Sequence, residues 1–489
     1  MTVSYGVNVS VGETLGGVPI TVASEIPFIV GAFPADKGTG NVIGRSNQLT
    51  KVISWEDFKT QYGGEETWGT MNRSAEWNAY KTVKHLLTVA RVTPIIIYNA
   101  LDPDTHQTAV TDEVLTFAAD DLDQPLANKF AQHSTIVVTD NPMTTTYVLD
   151  TDYSVSRDSD GTTQITRITT GSIGATDDIL VDYDYCVPEQ ITDNQASTAI
   201  GKIDDILTTF GPAYLPGWIH APEWSKKDQT LITAATVRLQ LKTKANLFSD
   251  IFTTRFVYDL DRTAYAASST LSDLTDDKTI ADSQGRAFAG DGTYGTQTEQ
   301  LLSDWFLGEQ AFYVDKNGFP GVSPSNQRVL TGYTPTDVWS IAQANTVRAA
   351  GVTTAFLDMG GSGGYRLWGT WTSYYSGTAT DYSLDEAVQN DVNTYMSRIL
   401  ILDTWAKYAD GALTRPKIET IVEQWDSLGK SLKGSNKLLG FRILFLEEDN
   451  PDLTTAVNFR IQLLAPPTMK RTDFIVQADL NYLDNVFPS

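Results

Sequence analysis

Two apolar runs constrain this chain most. Pro27-Phe28-Ile29-Val30-Gly31-Ala32-Phe33-Pro34 is bounded by prolines, and Ile95-Ile96-Ile97-Tyr98 lies further on. Neither alternates with polar residues, so each reads as a strand buried on both faces. Between them Ser54-Trp55-Glu56-Asp57-Phe58 has a helix-start pattern, Ser followed by acids in the first turn. Residues 74–90 carry Trp77, Tyr80, Val83, Lys84 and Leu87 at helical spacing. Strand, helix and buried strand in that order predict a βαβ unit with parallel pairing.

The same kind of text resumes after an interruption. Helical patterns are expected over 190–209, 226–245, 296–306 and 336–350, and strands at Trp218-Ile219-His220, Thr253 to Asp259 and Gln310 to Val314. The interruption, 112–188, is rich in Thr, Asp, Val, Ile and Tyr. Short alternating strands (Tyr147-Val148-Leu149, Tyr153-Ser154-Val155, Ile165 to Ile168, Ile179 to Tyr185) are separated by Asp160-Gly161, Gly171-Ser172 and Asp177-Asp178. That predicts a small β domain inserted in the α/β core. After the glycines at 360–364 come strand-like Leu367 to Trp371, long helices over 386–408 and 415–428, and strands at 441–445 and 457–463. The expected organisation is an N-terminal arm (1–22), an α/β core in two parts (23–111 and 189–360), the inserted β domain (112–188), an α+β C-terminal domain (361–473) and a C-terminal arm (474–489).

The arms rest on strand patterns at both ends. Val7, Val9 and Val11 share one face of a strand, and Phe474 to Tyr482 alternates similarly, with Ile475, Val476 and Leu480 among its apolar residues. Either these strands join the chain's own sheet, or they add to the sheet of another subunit.

A chain of 489 residues allows about three domains. With 41% hydrophobic residues it can bury large cores. The net charge of −24 disfavours nucleic acid or an anionic membrane as partner. A single cysteine, Cys186, excludes an intrachain disulfide and a thiolate metal cluster. No secretory signal and no run of about 18 apolar residues is visible.

Motifs that could carry chemistry fail on context. Gly290-Asp291-Gly292-Thr293-Tyr294-Gly295 fits a dinucleotide fingerprint, but residues 280–289 are mixed and polar and predict no preceding strand. Asp158-Ser159-Asp160-Gly161 begins like a calcium loop, but Arg167 stands where the bidentate Glu belongs. His85, His106, His133 and His220 have no metal-pair spacing, and there is no Gly-x-Ser-x-Gly elbow. No catalytic, cofactor or metal residue is assigned, and no cofactor is expected. One contrast stands out. From Arg398 to Arg442, eight basic residues face five acidic ones, a local balance of +3 in an acidic chain. It reads either as a solvated helix face or as a surface for an acidic partner.

Taken in order, several segments resemble the sheath proteins of contractile phage tails and related injection machines. Gly6-Val7-Asn8-Val9 through Gly16-Gly17-Val18-Pro19-Ile20 to Phe28-Ile29-Val30-Gly31 is similar to that family's entry. Tyr147 to Val155, Ile165 to Ile168 with Gly171-Ser172-Ile173, and Val181 to Tyr185 resemble its inserted β domain. Ser323-Pro324-Ser325-Asn326 with Leu330-Thr331-Gly332 resembles the segment before its final core helix. Leu367-Trp368-Gly369-Thr370-Trp371-Thr372 resembles its Trp-Gly-x-Arg-Thr motif, with Trp371 in the place of Arg. Leu428 to Gly434, Asn450-Pro451 and Ala465-Pro466-Pro467 resemble its close.

The resemblance implies a subtilisin-like core without protease activity. It implies a structural subunit that polymerises as stacked rings around an inner tube and contracts to drive the tube through a cell envelope. Partners would be the chain itself, the tube protein, and baseplate and tail terminator proteins, with no nucleic acid and no membrane. The site would be the virion tail, assembled in the host cytoplasm. Lys430, Lys433 and Lys437 are the expected inner-tube contact. A hydrolase of peptides or glycans, or a baseplate protein, is the alternative.

Overall fold

The computed structural model describes residues 25–33, 46–62, 77, 79–118, 121–158, 161–261, 278, 280–295, 297–358, 363–378, 381–408, 414–450 and 458–468. The chain opens with strands Pro27–Gly31 (β1) and Leu49–Val52 (β2), helices Trp55–Tyr62 (α1) and Tyr80–Lys84 (α2), and a π-turn at His85–Val89 that leads to strand Ile95–Asn99 (β3). All five residues of β1 and of β3 are buried, as expected of parallel strands covered on both faces. They pair in parallel, Phe28 beside Ile96 and Val30 beside Tyr98.

Six strands follow: Gln107–Thr116 (β4), Asp123–Pro125 (β5), Val137–Asp140 (β6), Tyr153–Arg157 (β7), Thr163–Arg167 (β8) and Asp178–Cys186 (β9). They make two antiparallel sheets, β4-β9-β6 and β5-β8-β7, around a separate core that includes Phe117, Val138, Ile165, Ile179 and Tyr183. Tyr147-Val148-Leu149 is not a strand; only isolated bridges, Thr139 to Thr146 and Leu149 to Tyr153, form there. The run sits in a turn where Val148 N–H donates to the Asp152 carboxylate at 2.8 Å, and local side-chain pairing wins over β propensity.

The α/β text then continues through helices Asp193–Gly201 (α3) and Ile206–Phe210 (α4), strand Trp218–His220 (β10), helix Ala234–Asn246 (α5) and strands Arg255–Asp259 (β11) and Gly285–Ala289 (β12). A capping box between Thr192 and Gln195 starts α3. Next come Asp291–Tyr294 (β13), Gln297–Leu301 (β14), helix Leu302–Asn317 (α6), Tyr333–Pro335 (β15), helix Ile341–Ala349 (α7), Val352–Leu357 (β16) and Tyr365–Trp368 (β17). One eight-stranded sheet runs β17-β16-β12-β11-β10-β1-β3-β2, parallel except at its two edge strands.

Four expectations are corrected here. Residues 296–306 are not one helix, and Gln310 to Val314 is not a strand: β14 covers 297–301 and α6 runs through 302–317. Every residue of α6 from Leu302 to Gln310 is buried, so no polar stripe marks it as a helix. It ends at Gly318, in the left-handed conformation that suits a helix C-terminus. A strand, β12, does precede the Gly290 motif, but a second strand follows it, so no helix start faces a phosphate there. Leu367 and Trp368 belong to β17, the antiparallel edge of the core sheet.

Two long helices, Ala387–Tyr408 (α8) and Arg415–Gly434 (α9), pack with strands Gly440–Leu444 (β18) and Arg460–Leu464 (β19) around a third core of Val392, Tyr395, Met396, Ile421, Trp425 and Ile443.

Candidate functional site

The sheet reverses its winding between β1 and β10, and the carboxyl ends of the strands there are where an open α/β sheet takes ligands. His220 ends β10, Asp259 ends β11, and Ser303 and Asp304 begin α6 above them. Ser303 Oγ donates to Asp259 Oδ2 at 2.5 Å and lies 3.2 Å from His220 Nε2. His220 Nε2 is 3.4 Å from Asp304 Oδ1. This is a Ser/His/Asp constellation, one that no local motif announces.

Its chemistry is wrong for hydrolysis. A nucleophilic serine gives its proton to the imidazole. Here the hydroxyl proton is directed at Asp259, so His220 Nε2 faces only the lone pairs of Ser303 Oγ and a carboxylate, and is a donor. All four side chains are fully buried, and none lines the molecule's large groove. The cluster holds the start of α6 against the strand ends.

Asp259 is nonetheless a sensitive group. Burial pushes its carboxyl up to about 6, with His220 and the Ser303 hydroxyl acting against that shift. The folded protein therefore holds a proton that the unfolded chain releases near pH 4. The stabilisation is fully present below about pH 4 and is lost as pH rises through about 6, a change of about 3 kcal/mol. Asp259→Asn removes this titration. Relative to the parent, its unfolding midpoint in urea should rise between pH 4 and pH 7; a constant difference would place Asp259 outside the pH response.

The opposite end of the sheet carries a second buried polar cluster. Arg255 begins β11 and meets Glu25 at 2.9 Å and Asp391 of α8 at 3.1 Å. Arg286 of β12 meets the same Asp391 oxygen at 2.6 Å and donates to the Ala387 carbonyl at 3.0 Å. Trp218 lies under the Arg255 guanidinium at 4.2 Å and donates its indole N–H to Glu25 at 2.5 Å. Arg398, two turns further along α8, donates to the carbonyls of Pro216 and Thr253. These contacts bind α8 to the N-terminal ends of the core strands. A charge inside an otherwise apolar run (Arg255 before Phe256-Val257-Tyr258) was the available sequence signal.

The C-terminal region presents a different feature. β18 and β19 form a two-stranded sheet, Gly440 opposite Leu464 through Leu444 opposite Arg460, and no other described strand joins either edge. The ribbon is held from behind. Gly429 of α9 lies against Phe441 so closely that a Cβ would come within 2.0 Å of its ring. Gln389 of α8 accepts from Ala465 N–H at 2.8 Å. Three apolar side chains at the ribbon are exposed: Leu439 at 55%, Leu464 at 43% and Ile461 at 36%.

The arm residues Val7, Val9, Val11, Ile475, Val476 and Leu480 lie outside the described residues. Lys430 and Lys433 are exposed at the C-terminal end of α9, and Lys430 pairs with Asp426 at 2.7 Å. Lys437, beyond the helix, is half-buried over the Phe319 ring at 5.8 Å. Trp371, in the place of the motif Arg, stacks on Tyr375 at 4.2 Å. Among the described residues no group of three or more His, Cys, Asp or Glu could hold a metal, and no helix is long and apolar enough to cross a membrane.

No family model matches the chain. The tail sheath protein of Burkholderia phage BcepMu is 26% identical over 415 residues, 80% of this chain and 82% of its own. Among solved structures, a chain of the anti-feeding prophage baseplate matches with a TM-score of 0.55 at 11% identity, over 94% of each chain. A chain of the contracted PVC sheath complex, an extracellular contractile injection system, matches with a TM-score of 0.53 at 9% identity, over 94% of this chain and 93% of that one. The contracted anti-feeding prophage sheath matches with a TM-score of 0.51 at 10% identity, over 94% of each chain. The chain is thus similar in sequence to a phage tail sheath protein, and it shares its fold with chains of contractile assemblies.

Proposed function

We propose that this chain is a contractile sheath subunit that polymerises as stacked rings around an inner tube, joined to its neighbours by strands exchanged at the two chain ends. Contraction of the lattice then drives the tube through a target envelope. The observation that carries the strand exchange is the bare ribbon β18–β19. A two-stranded ribbon is marginal in water, and unpaired edges recruit further strands. Strand addition gives main-chain hydrogen bonds that survive while side-chain interfaces repack. An extended sheath would then be a trapped state with less buried surface than the contracted one.

The doubly wound parallel core is consistent with a subtilisin-like ancestry, and the Ser303 cluster gives the hydrolase alternative no support. The virion tail is the place such a subunit occupies, after assembly in the host cytoplasm with tube, baseplate and terminator proteins. Negative-stain microscopy of the purified chain should show striated hollow cylinders. Discrete globular particles at every concentration and salt would contradict polymerisation.

The basic end of α9 is the proposed tube contact. A charged, screenable surface can release during sliding, whereas a large apolar one would hold the tube. Reversing Lys430, Lys433 and Lys437 to Glu should weaken tube attachment in low salt and leave the unfolding midpoint within about 0.5 kcal/mol, since two of the three are surface positions. Unchanged co-sedimentation with tube at several salt concentrations would place the contact elsewhere.

A further inference from the structure

The two faces of the core sheet carry different outer surfaces. Adjacent residues of a strand point to opposite faces. On β11, Tyr258 lies under the Arg238 guanidinium of α5 at 5.1 Å, while Asp259 accepts from Ser303 of α6. So α5 covers one face and α6 the other. On the α5 side an apolar ridge stands in water. Leu239 is 55% exposed, Leu247, just past the helix end, 50%, and Ile251 40%. Thr243 stands between the two leucines at four-residue spacing, and its hydroxyl donates to the Leu239 carbonyl at 2.8 Å, which takes up its proton within the helix. On the α6 side lies a groove of about 980 Å³, walled by the π-turn and residues 90–94 on one side and by residues 328–331 on another. Its lining includes Val89, Val92, Ala311, Phe312, Val314 and Val329, with the Phe312 ring exposed.

We propose that the α5 ridge of one copy of this chain seats in the α6 groove of the next. Helices pack by setting a ridge of side chains into a groove, and exposed apolar patches with polar rims mark such contacts. The occupant is a second copy because one molecule carries both halves of the fit. They lie on opposite faces of its sheet, so the contact is head-to-tail. Every pair keeps a free ridge and a free groove, and the contact repeats as a ring or an open stack where a two-fold dimer would close. The rims agree with this. Lys242 and Asp250 flank the ridge, and exposed Arg91 and Asp315 border the groove. Each rim carries both signs, so two copies of a chain of −24 meet here without opposing like-charged faces. Three exposed apolar side chains make a contact smaller than a stable dimer interface, so it acts in addition to other links in the lattice. The inference rests on the reading that the chain self-assembles, and it is independent of the strands exchanged at the chain ends.

Full chains with one added cysteine test it: Leu239→Cys on the ridge, and Thr88→Cys or Thr331→Cys at the groove. All three positions are exposed, and the native Cys186 is buried. Ridge and groove chains are mixed under the conditions used for microscopy and treated with a short bis-maleimide. At least one ridge–groove mixture should give a dimer-sized product at about tenfold or more above two controls, from the high effective concentration of seated side chains. The controls are Leu239→Cys alone and the groove chains mixed with Val148→Cys, an exposed position on the inserted β domain. A chain carrying both a ridge and a groove cysteine should give a ladder of larger multimers. Mixtures no better than the controls, or as much product from Leu239→Cys alone, would overturn the proposal. That failure with cylinders present strikes this contact and leaves polymerisation standing; failure without cylinders contradicts both. Product without cylinders supports the contact and contradicts the stacked-ring reading.

Discussion

Removing residues 1–20 should leave a subunit that folds and no longer forms tubes. Among the described residues the three hydrophobic cores run from Ile26 onward, and the truncated chain keeps all of these. On the proposed strand exchange, the lattice loses its N-terminal links. An added strand of about five residues makes several main-chain hydrogen bonds, each contributing about 1 kcal/mol net. In a polymer that loss recurs at every subunit, so a modest deficit per contact abolishes the assembly. Far-ultraviolet circular dichroism should match the full chain, and microscopy should show no cylinders. Normal cylinders from the truncated chain would contradict the strand exchange, and an unfolded product would show that the segment belongs to the subunit's own fold.

Asp391→Ala should be the most damaging single change in the described part of the chain, costing about 4 kcal/mol. One Asp391 oxygen serves both Arg255 and Arg286, and all three side chains are buried. Burial lowers the Arg286 pKa, and Asp391 is the foremost group that opposes it. Truncation leaves two guanidiniums in a dry site with Glu25 as the remaining carboxylate in contact with Arg255. Because α8 meets the core through this cluster, the loss should appear as faster hydrogen exchange in α8 and an earlier first step in urea unfolding. Asp391→Asn, which keeps an acceptor without the charge, should fall between. An Ala variant with the parent's midpoint and α8 protection would show that apolar packing alone joins the two regions.

What could be read beforehand follows from how local each signal is. β1, β3, β10 and β11 were visible because a strand covered on both faces is a continuous apolar run. β12 was missed because Gly285-Arg286-Ala287-Phe288-Ala289 has small residues and a charge where such a run has branched ones. Its packing is set by neighbours: a Cβ on Gly285 would stand 2.5 Å from the Ser373 hydroxyl oxygen. α6 was split in two because a helix buried all round has no amphipathic period to read. The Ser303 cluster could not be seen, since its residues stand 44 and 83 positions apart and meet only through the sheet. The ribbon strands at 440–444 and 460–464 were placed closely, yet their bare edges were not foreseeable. Phe441 to Phe445 alternates in the same way whether the strand lies inside a sheet or at its rim. The basic stretch was visible as composition, but not that Lys430 is partly neutralised by Asp426 or that Lys437 leans on Phe319.

The most direct measurement is a cryo-electron reconstruction of the assembled particle at a resolution that traces the main chain. Strands running alongside β18 or β19 should be followed back to other subunits, widening the ribbon into a sheet shared between molecules. Both chain ends traced onto their own subunit, with the two ribbon edges left unpaired, would contradict the exchange.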